Sequence, residues 1–155
     1  MDVKRELIRD HEDHDRLLEQ LTRALEARRP LAELRQCWVD FEENLLDHLA
    51  AEEQYLFTVA IQAHRLEIQQ LRAEHRQIRQ DMGGISASLA LGTLKQRELD
   101  ELRALLRTHG EHEERSLHCW LEIDEGIMAH RGVLAIRNRR ERACARQQAG
   151  AKAND

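Results

Sequence analysis

The chain has 155 residues, a length that fits one domain, and its composition excludes several classes of protein. One proline and seven glycines supply too few turns for a many-stranded β-sandwich or barrel. Good helix formers such as leucine, alanine, glutamate and arginine predominate. The sequence has no run of about 18 apolar residues that could span a membrane, and its N-terminus lacks the apolar core of a signal peptide. We therefore expect an all-helical cytoplasmic protein that does not enter the membrane.

The net charge of −5 is unevenly distributed along the chain. Residues 131–155 carry seven basic and two acidic side chains, so the preceding part is strongly acidic. Because an acidic body with a short basic tail lacks the broad basic surface of a nucleic-acid-binding domain, we do not expect nucleic acid as a partner. The three cysteines form no CxxC pair and indicate no disulfide framework, which fits a reducing cytoplasm.

Apolar residues recur every three or four positions along four stretches of the chain, which is the spacing of a helix that faces a core. These stripes predict helices over residues 3–28, 31–60, 65–91 and 94–128. Pro30 suits the start of the second helix, while Gly92 and Thr93 suit the end of the third and the start of the fourth. Gly83 and Gly84 either weaken the third helix or mark a close contact between helices.

Each predicted helix carries, on its apolar stripe, residues that avoid burial. They are His11 and His14 on the first helix, His48 and Glu52 on the second, His75 on the third, and His109 and Glu113 on the fourth. The short turns predict an up-down-up-down antiparallel four-helix bundle over residues 1–130, which would bring these side chains to one level. Burying polar groups without partners costs on the order of several kcal/mol each. A metal cluster would satisfy all of them at once.

The chain looks like one helical hairpin used twice. Residues 61 positions apart match in type, namely His14 with His75, His48 with His109, Glu52 with Glu113 and Glu53 with Glu114. His and Glu at i, i+4 share a helix face, so each H-x-x-x-E helix offers an imidazole and a carboxylate to one site. Carboxylates can bridge two cations, and imidazole suits iron, zinc or copper. The duplication therefore predicts two metal positions, each with two histidines, and two bridging glutamates.

These motifs resemble the hemerythrin-like, or HHE cation-binding, family over residues 5–125. The resemblance rests on D-H-D-R-L-L around His14, on Glu74-His75, and on the two H-x-x-x-E-E motifs that start at His48 and His109. It implies a four-helix bundle with two non-haem iron ions joined by an oxo or hydroxo bridge. The resemblance further implies terminal ligands at His14, His48, His75 and His109, and bridges at Glu52 and Glu113. Zinc and manganese remain alternatives to iron.

The chain also departs from the O2-carrying hemerythrins, which resemble H-x-x-x-H on the third helix. The residue four positions after His75 is Arg79, so we place a fifth candidate histidine ligand at His11, one turn before His14. This departure puts simple reversible O2 carriage in doubt and leaves the two-metal site untouched. Ferritin-like di-iron proteins differ further, because their E-x-x-H spacing is i, i+3 with glutamate first.

The sequence favours a protein that binds or senses O2, NO or peroxide over an enzyme. Such a ligand needs an apolar pocket beside the metal, and the residues placed to line it are Leu18, Leu45, Tyr55, Ile78 and Leu106. The alternatives are a di-iron enzyme acting on peroxide or NO, an iron donor for iron–sulfur repair, and a structural zinc site. Residues 131–155 are expected to form a basic C-terminal extension, either a short helix packed on the bundle or on another subunit, or a solvated end. A homodimer is left open.

Overall fold

The computed structural model describes residues 3–116 together with Trp120 and Arg131, and these residues form helices without a strand. The helices are α1 (Val3–Glu26), α2 (Leu31–Ala51), α3 (Phe57–Ala60), α4 (Arg65–Leu91) and α5 (Gln96–Arg115). α1 and α4 each pack against both α2 and α5, and the one-turn α3 continues the line of α2. The predicted four-helix bundle is confirmed. In the described part of the chain, no helix is both long and apolar enough to cross a membrane.

The ends of the helices follow local turn chemistry. Gly92 adopts the left-handed φ of +68° directly after α4, and its N–H donates to the carbonyls of the last helical turn. α5 begins at Gln96 because the Glu98 carboxylate accepts the N–H of Lys95 at 2.9 Å, so the prediction that Thr93 caps this helix was wrong. The predicted continuation of the fourth helix to residue 128 and the predicted extension over 131–155 lie outside the described residues, apart from Trp120 and Arg131.

The interior of the bundle contains two apolar regions with a polar layer between them. The larger region is on the side of the α1–α2 and α4–α5 turns and includes Leu21, Trp38, Phe41, Ile85 and Leu102. The smaller region is near the opposite end and includes Leu7, Leu56, Phe57, Ile68 and Leu71. The layer between them holds most of the buried polar side chains of the bundle, namely His14, His48, Glu52, His75, His109 and Glu113.

A π-helical turn, Glu52–Leu56, connects α2 to α3 where the chain crosses this polar layer. The N–H of Phe57 donates to the carbonyl of Glu52, so the turn contains one residue more than an α-helical turn. The extra residue rotates the following chain, and Leu56 and Phe57 are both fully buried while Tyr55 is only half-buried. The continuous stripe predicted through Tyr55 therefore ends at Glu52. Single π turns are frequent at functional sites.

Gly84 lies within α4 and Gly92 directly follows it, so alanine substitutions at the two positions form a matched pair of stability tests. A Cβ at Gly84 would meet nothing within 4 Å, so Gly84 marks no close helix contact. We expect Gly84→Ala to raise the free energy of unfolding by up to about 1 kcal/mol, because alanine is the better helix former. We expect Gly92→Ala to lower it by about 1 kcal/mol, because alanine is strained at positive φ. Urea unfolding measures both, and equal effects would contradict the placement of Gly92 at the helix end.

Candidate metal centre

Six side chains from the four long segments of the bundle come together in the polar layer. They form two overlapping groups, of which the first is His11, His48, Glu52 and Glu113 and the second is Glu52, His75, His109 and Glu113. Within each group one potential ligand atom from every residue lies within 4.8 Å of the others. Both glutamates belong to both groups. Each group therefore offers two imidazoles and two shared carboxylates.

Each shared carboxylate directs one oxygen towards each histidine pair. Glu52 Oε1 lies 3.2 Å from Nε2 of His48, and its Oε2 lies 3.4 Å from Nε2 of His75. Glu113 Oε1 lies 3.1 Å from Nε2 of His109, and its Oε2 lies 3.2 Å from Nε2 of His11. This is the arrangement in which two carboxylates can bridge two cations.

The carboxylate oxygens at the centre lack conventional partners. Glu52 and Glu113 are completely buried, and within the described part of the chain none of their four side-chain oxygens has a hydrogen-bond partner. Nε2 atoms of the neighbouring histidines lie at ion-pair distance from these oxygens. Two buried and unbonded carboxylates are strongly unfavourable unless cations neutralise them. The layer therefore requires positive charge at its centre.

The imidazoles of each group face one another through their Nε2 atoms. Nε2 of His75 lies 3.2 Å from Nε2 of His109, and Nε2 of His11 lies 3.3 Å from Nε2 of His48. In a neutral ring whose Nδ1 carries the proton, Nε2 presents a lone pair. Two lone pairs at this distance repel each other, so each histidine pair needs either a proton or a metal ion between its nitrogens.

Carboxylates outside the centre hold three of the four imidazoles in this orientation. The Nδ1–H groups of His48, His75 and His109 donate to Asp10, Glu53 and Glu74 at 2.9, 2.8 and 2.7 Å respectively. Arg79 donates in turn to Glu53 at 2.8 Å, and His112 shares the carboxylate of Glu74. In metal sites, a carboxylate that accepts the N–H of one ring nitrogen fixes the tautomer and the orientation of the histidine, whose other nitrogen binds the metal. In these three rings Nδ1 is bonded to the carboxylate, so Nε2 is available at the centre.

Without a metal, protons occupy the centre. Burial alone would lower the pKa of His109, but the Glu113 carboxylate beside it outweighs burial and raises that pKa to about 10. Burial likewise opposes the charged forms of His48 and Glu113, but Glu52 raises the pKa of His48, and the charge of His109 holds the pKa of Glu113 well below its usual range. The carboxylates thus favour protonated imidazoles here, and a metal ion that binds to these nitrogens must compete with protons.

His14 lies beside the two groups and belongs to neither. Its Nε2–H donates to Asn44 Oδ1 at 3.0 Å, and its ring centroid is 4.9 Å from that of His48. Burial, reinforced by the charge of His48, lowers the pKa of His14 to about 3, so its ring is neutral. The structure thus brings together six of the seven residues singled out in the sequence. His11, which the sequence offered as a fifth histidine, is the residue of the first helix that belongs to a group.

Sequence reasoning missed the roles of Asp10, Asn44 and Glu74. Asp10 directly precedes His11, and Glu74 directly precedes His75, so the two acid–histidine pairs are 64 residues apart. Asp10 and Glu74 occupy matching positions, because each accepts the Nδ1–H of the histidine on the neighbouring helix of its hairpin. A second acid–histidine pair, Asp13-His14, made the first helix ambiguous. No comparable signal marks Asn44.

A cavity of about 330 Å³ lies between α1, α2 and α5 and reaches the first group. Its walls include the apolar side chains of Leu45, Leu49 and Leu106, with His11, His14, His48 and His109 among the other lining residues. Leu45 and Leu106 are thus placed as the sequence predicted. Leu18, Tyr55 and Ile78 are not among the lining residues of this cavity.

The donor set fits a pair of transition-metal ions. Imidazole suits iron, zinc and copper, and carboxylates can bridge the metals of two-metal sites. The unbonded oxygens of Glu52 and Glu113 and the paired Nε2 atoms are the atoms that such ions would neutralise. His11 and His48 would hold one ion, and His75 and His109 would hold the other.

Comparison with known protein families gives one match. The hemerythrin HHE cation binding domain matches residues 2–121 of the chain, a span that contains all six grouped side chains and His14. No curated protein and no solved structure matches the chain.

Removing the charge of one outer carboxylate tests its effect on the centre. We expect Asp10→Asn and Glu74→Gln each to weaken metal affinity about ten- to a hundredfold, because each loses the ionised acceptor that orients a ligand histidine. Competition against a chromophoric chelator measures this affinity. Glu101→Gln is the control, because Glu101 is an exposed carboxylate paired with Arg97 outside the layer. Affinities equal to that of the control would show that Asp10 and Glu74 do not support the centre.

Proposed function

The chain belongs to the hemerythrin HHE cation-binding family, and on this basis we propose that it holds two iron ions and binds or senses a small ligand such as O2, NO or peroxide. The observation that carries the proposal is the pair of buried carboxylates, each of which directs one oxygen to each histidine pair. A structural salt bridge requires only one carboxylate and one cation. This layer instead contains two donor sets of the same composition, which is the arrangement expected for two metal ions.

The proposed ligands follow from the two groups. His11 and His48 hold one iron ion, His75 and His109 hold the other, and Glu52 and Glu113 bridge them. His14 is not included, because its Nε2 is directed at Asn44. The extended domain over residues 1–130, the basic extension over 131–155 and the cytoplasmic location are proposed from sequence alone.

The cavity supports the binding of a small ligand. Four protein donors are fewer than the six positions that octahedral iron takes, so each ion can accept a further ligand, and bound iron supplies the redox chemistry that O2, NO and peroxide require. Leu45, Leu49 and Leu106 make part of the cavity wall apolar. Apolar pockets with a few polar groups are the usual form of small-molecule sites.

A matched pair of leucine variants tests the ligand set. We expect His11→Leu to lose metal, because the first group keeps only one imidazole. We expect His14→Leu to retain the metal content of the natural chain, because His14 lies outside both groups. Metal analysis after loading and gel filtration measures the number of ions per chain. Loss of metal from His14→Leu with full retention in His11→Leu would return His14 to the ligand set and remove His11.

Exposure of the loaded protein to nitric oxide tests the binding of small ligands. We expect the optical spectrum of the ferrous-loaded chain to change on addition of NO, and the zinc-loaded chain to show no change. An unchanged spectrum of the iron-loaded chain would contradict the proposal. Sustained consumption of peroxide or NO that is lost in His48→Ala would instead identify an enzyme with the same ligands.

A further inference from the structure

The cavity beside His11 has an acidic mouth. Four exposed carboxylates from α1 and α5 line it, namely Glu12, Asp15, Glu111 and Glu114, together with the exposed Arg107. Among the described residues that line the cavity, the four carboxylates outnumber the one arginine, so the lining of the mouth is predominantly acidic. Clefts lined by charges of one sign concentrate ions of the opposite sign and raise their association rates, and salt weakens this effect.

The inner end of the same cavity consists of imidazoles from the candidate centre. His11, His48 and His109 line it, and His11 Nε2 lies 3.2 Å from Oε2 of Glu113. Glu113 is fully buried and its oxygens have no hydrogen-bond partner within residues 3–116. The mouth and the buried carboxylates thus attract the same kind of ion. A cation that reaches these carboxylates displaces the protons held by the neighbouring imidazoles.

His14 lines the same cavity as His11 and His48. Its ring centroid is 6.4 Å from that of His11 and 4.9 Å from that of His48. Its Nε2–H donates to Asn44, and its ring contacts Phe41. Binding of a cation by Nε2 would require the release of this hydrogen bond. An imidazole in this place can bind a dehydrating cation before the permanent ligands do.

We propose that this cavity is the path by which a divalent cation reaches the buried centre: the carboxylates of the mouth collect the ion, and His14 binds it in transit to His11 and His48. The inference rests on the proposed metal-binding function and deepens it. It assigns a kinetic role to residues that hold no metal at equilibrium.

The first arm of the test measures the rate of Co²⁺ uptake by the metal-free full-length chain, followed by the visible absorption of the bound ion in a stopped-flow instrument. The mouth variant carries Glu12→Gln, Asp15→Asn, Glu111→Gln and Glu114→Gln. The control changes the net charge equally near the turns that join α1 to α2 and α4 to α5, by Glu26→Gln, Glu33→Gln, Asp100→Asn and Glu101→Gln. All eight side chains are exposed, and circular dichroism checks that both variants fold.

We expect the mouth variant to take up Co²⁺ about tenfold more slowly than the control at low salt, and its rate to depend less on salt. The number of ions bound at equilibrium stays the same in all three proteins. Equal rates and equal salt dependence in the mouth and control variants would overturn the proposal. Failure of the natural chain to bind Co²⁺ at all would instead overturn the proposed metal-binding function itself.

The second arm uses His14→Leu. We expect uptake to slow several-fold while the salt dependence of the rate and the final number of bound ions match those of the natural chain. An unchanged rate would remove His14 from the path. A reduced number of bound ions would identify His14 as a permanent ligand and contradict the transit role.

Discussion

The structure depends on one constraint, which is that the carboxylates of Glu52 and Glu113 are buried in the middle of a helical bundle and have no hydrogen-bond partner among the described residues. Isolated buried charges are among the most unfavourable features that a protein core can contain. Here four imidazoles surround the two carboxylates, and the protons or metal ions that these groups hold supply the missing positive charge. The polar layer separates two apolar regions that would otherwise form one continuous core.

The surrounding structure serves this layer. The π turn begins at Glu52 and lets the chain resume with Leu56 and Phe57 both in the apolar core. Asp10, Glu53 and Glu74 direct three of the imidazoles, so that Nε2 of each ring faces the centre. These features lie on different elements, yet each acts on the same few atoms. We therefore expect a change in any of these features to alter metal affinity more than it alters the free energy of unfolding.

The sequence was sufficient to predict the bundle, the polar layer and the H-x-x-x-E pairs, because burial of a polar residue on an apolar stripe is a local signal. It was not sufficient to choose between His11 and His14. Offsets of 61 and 64 residues differ by three, which is close to one helical turn, and apolar stripes repeat with that period. With the first offset Leu17 pairs with Ile78, with the second Leu18 pairs with Met82, and all four are buried. Only the three-dimensional packing of α1 against α2 and α5 brings His11, and not His14, into a group with His48. The π turn could not be predicted from the sequence either, because no residue type is characteristic of it.

Anomalous diffraction at the iron absorption edge, from crystals of the iron-loaded protein, tests the central claim most directly. We expect two peaks about 3.5–4 Å apart, the spacing typical of two-metal sites, one beside His11 and His48 and the other beside His75 and His109. Both peaks should contact the carboxylates of Glu52 and Glu113. A single peak or no peak would contradict the proposed two-metal centre, and a peak bound by His14 in place of His11 would contradict the proposed ligand set.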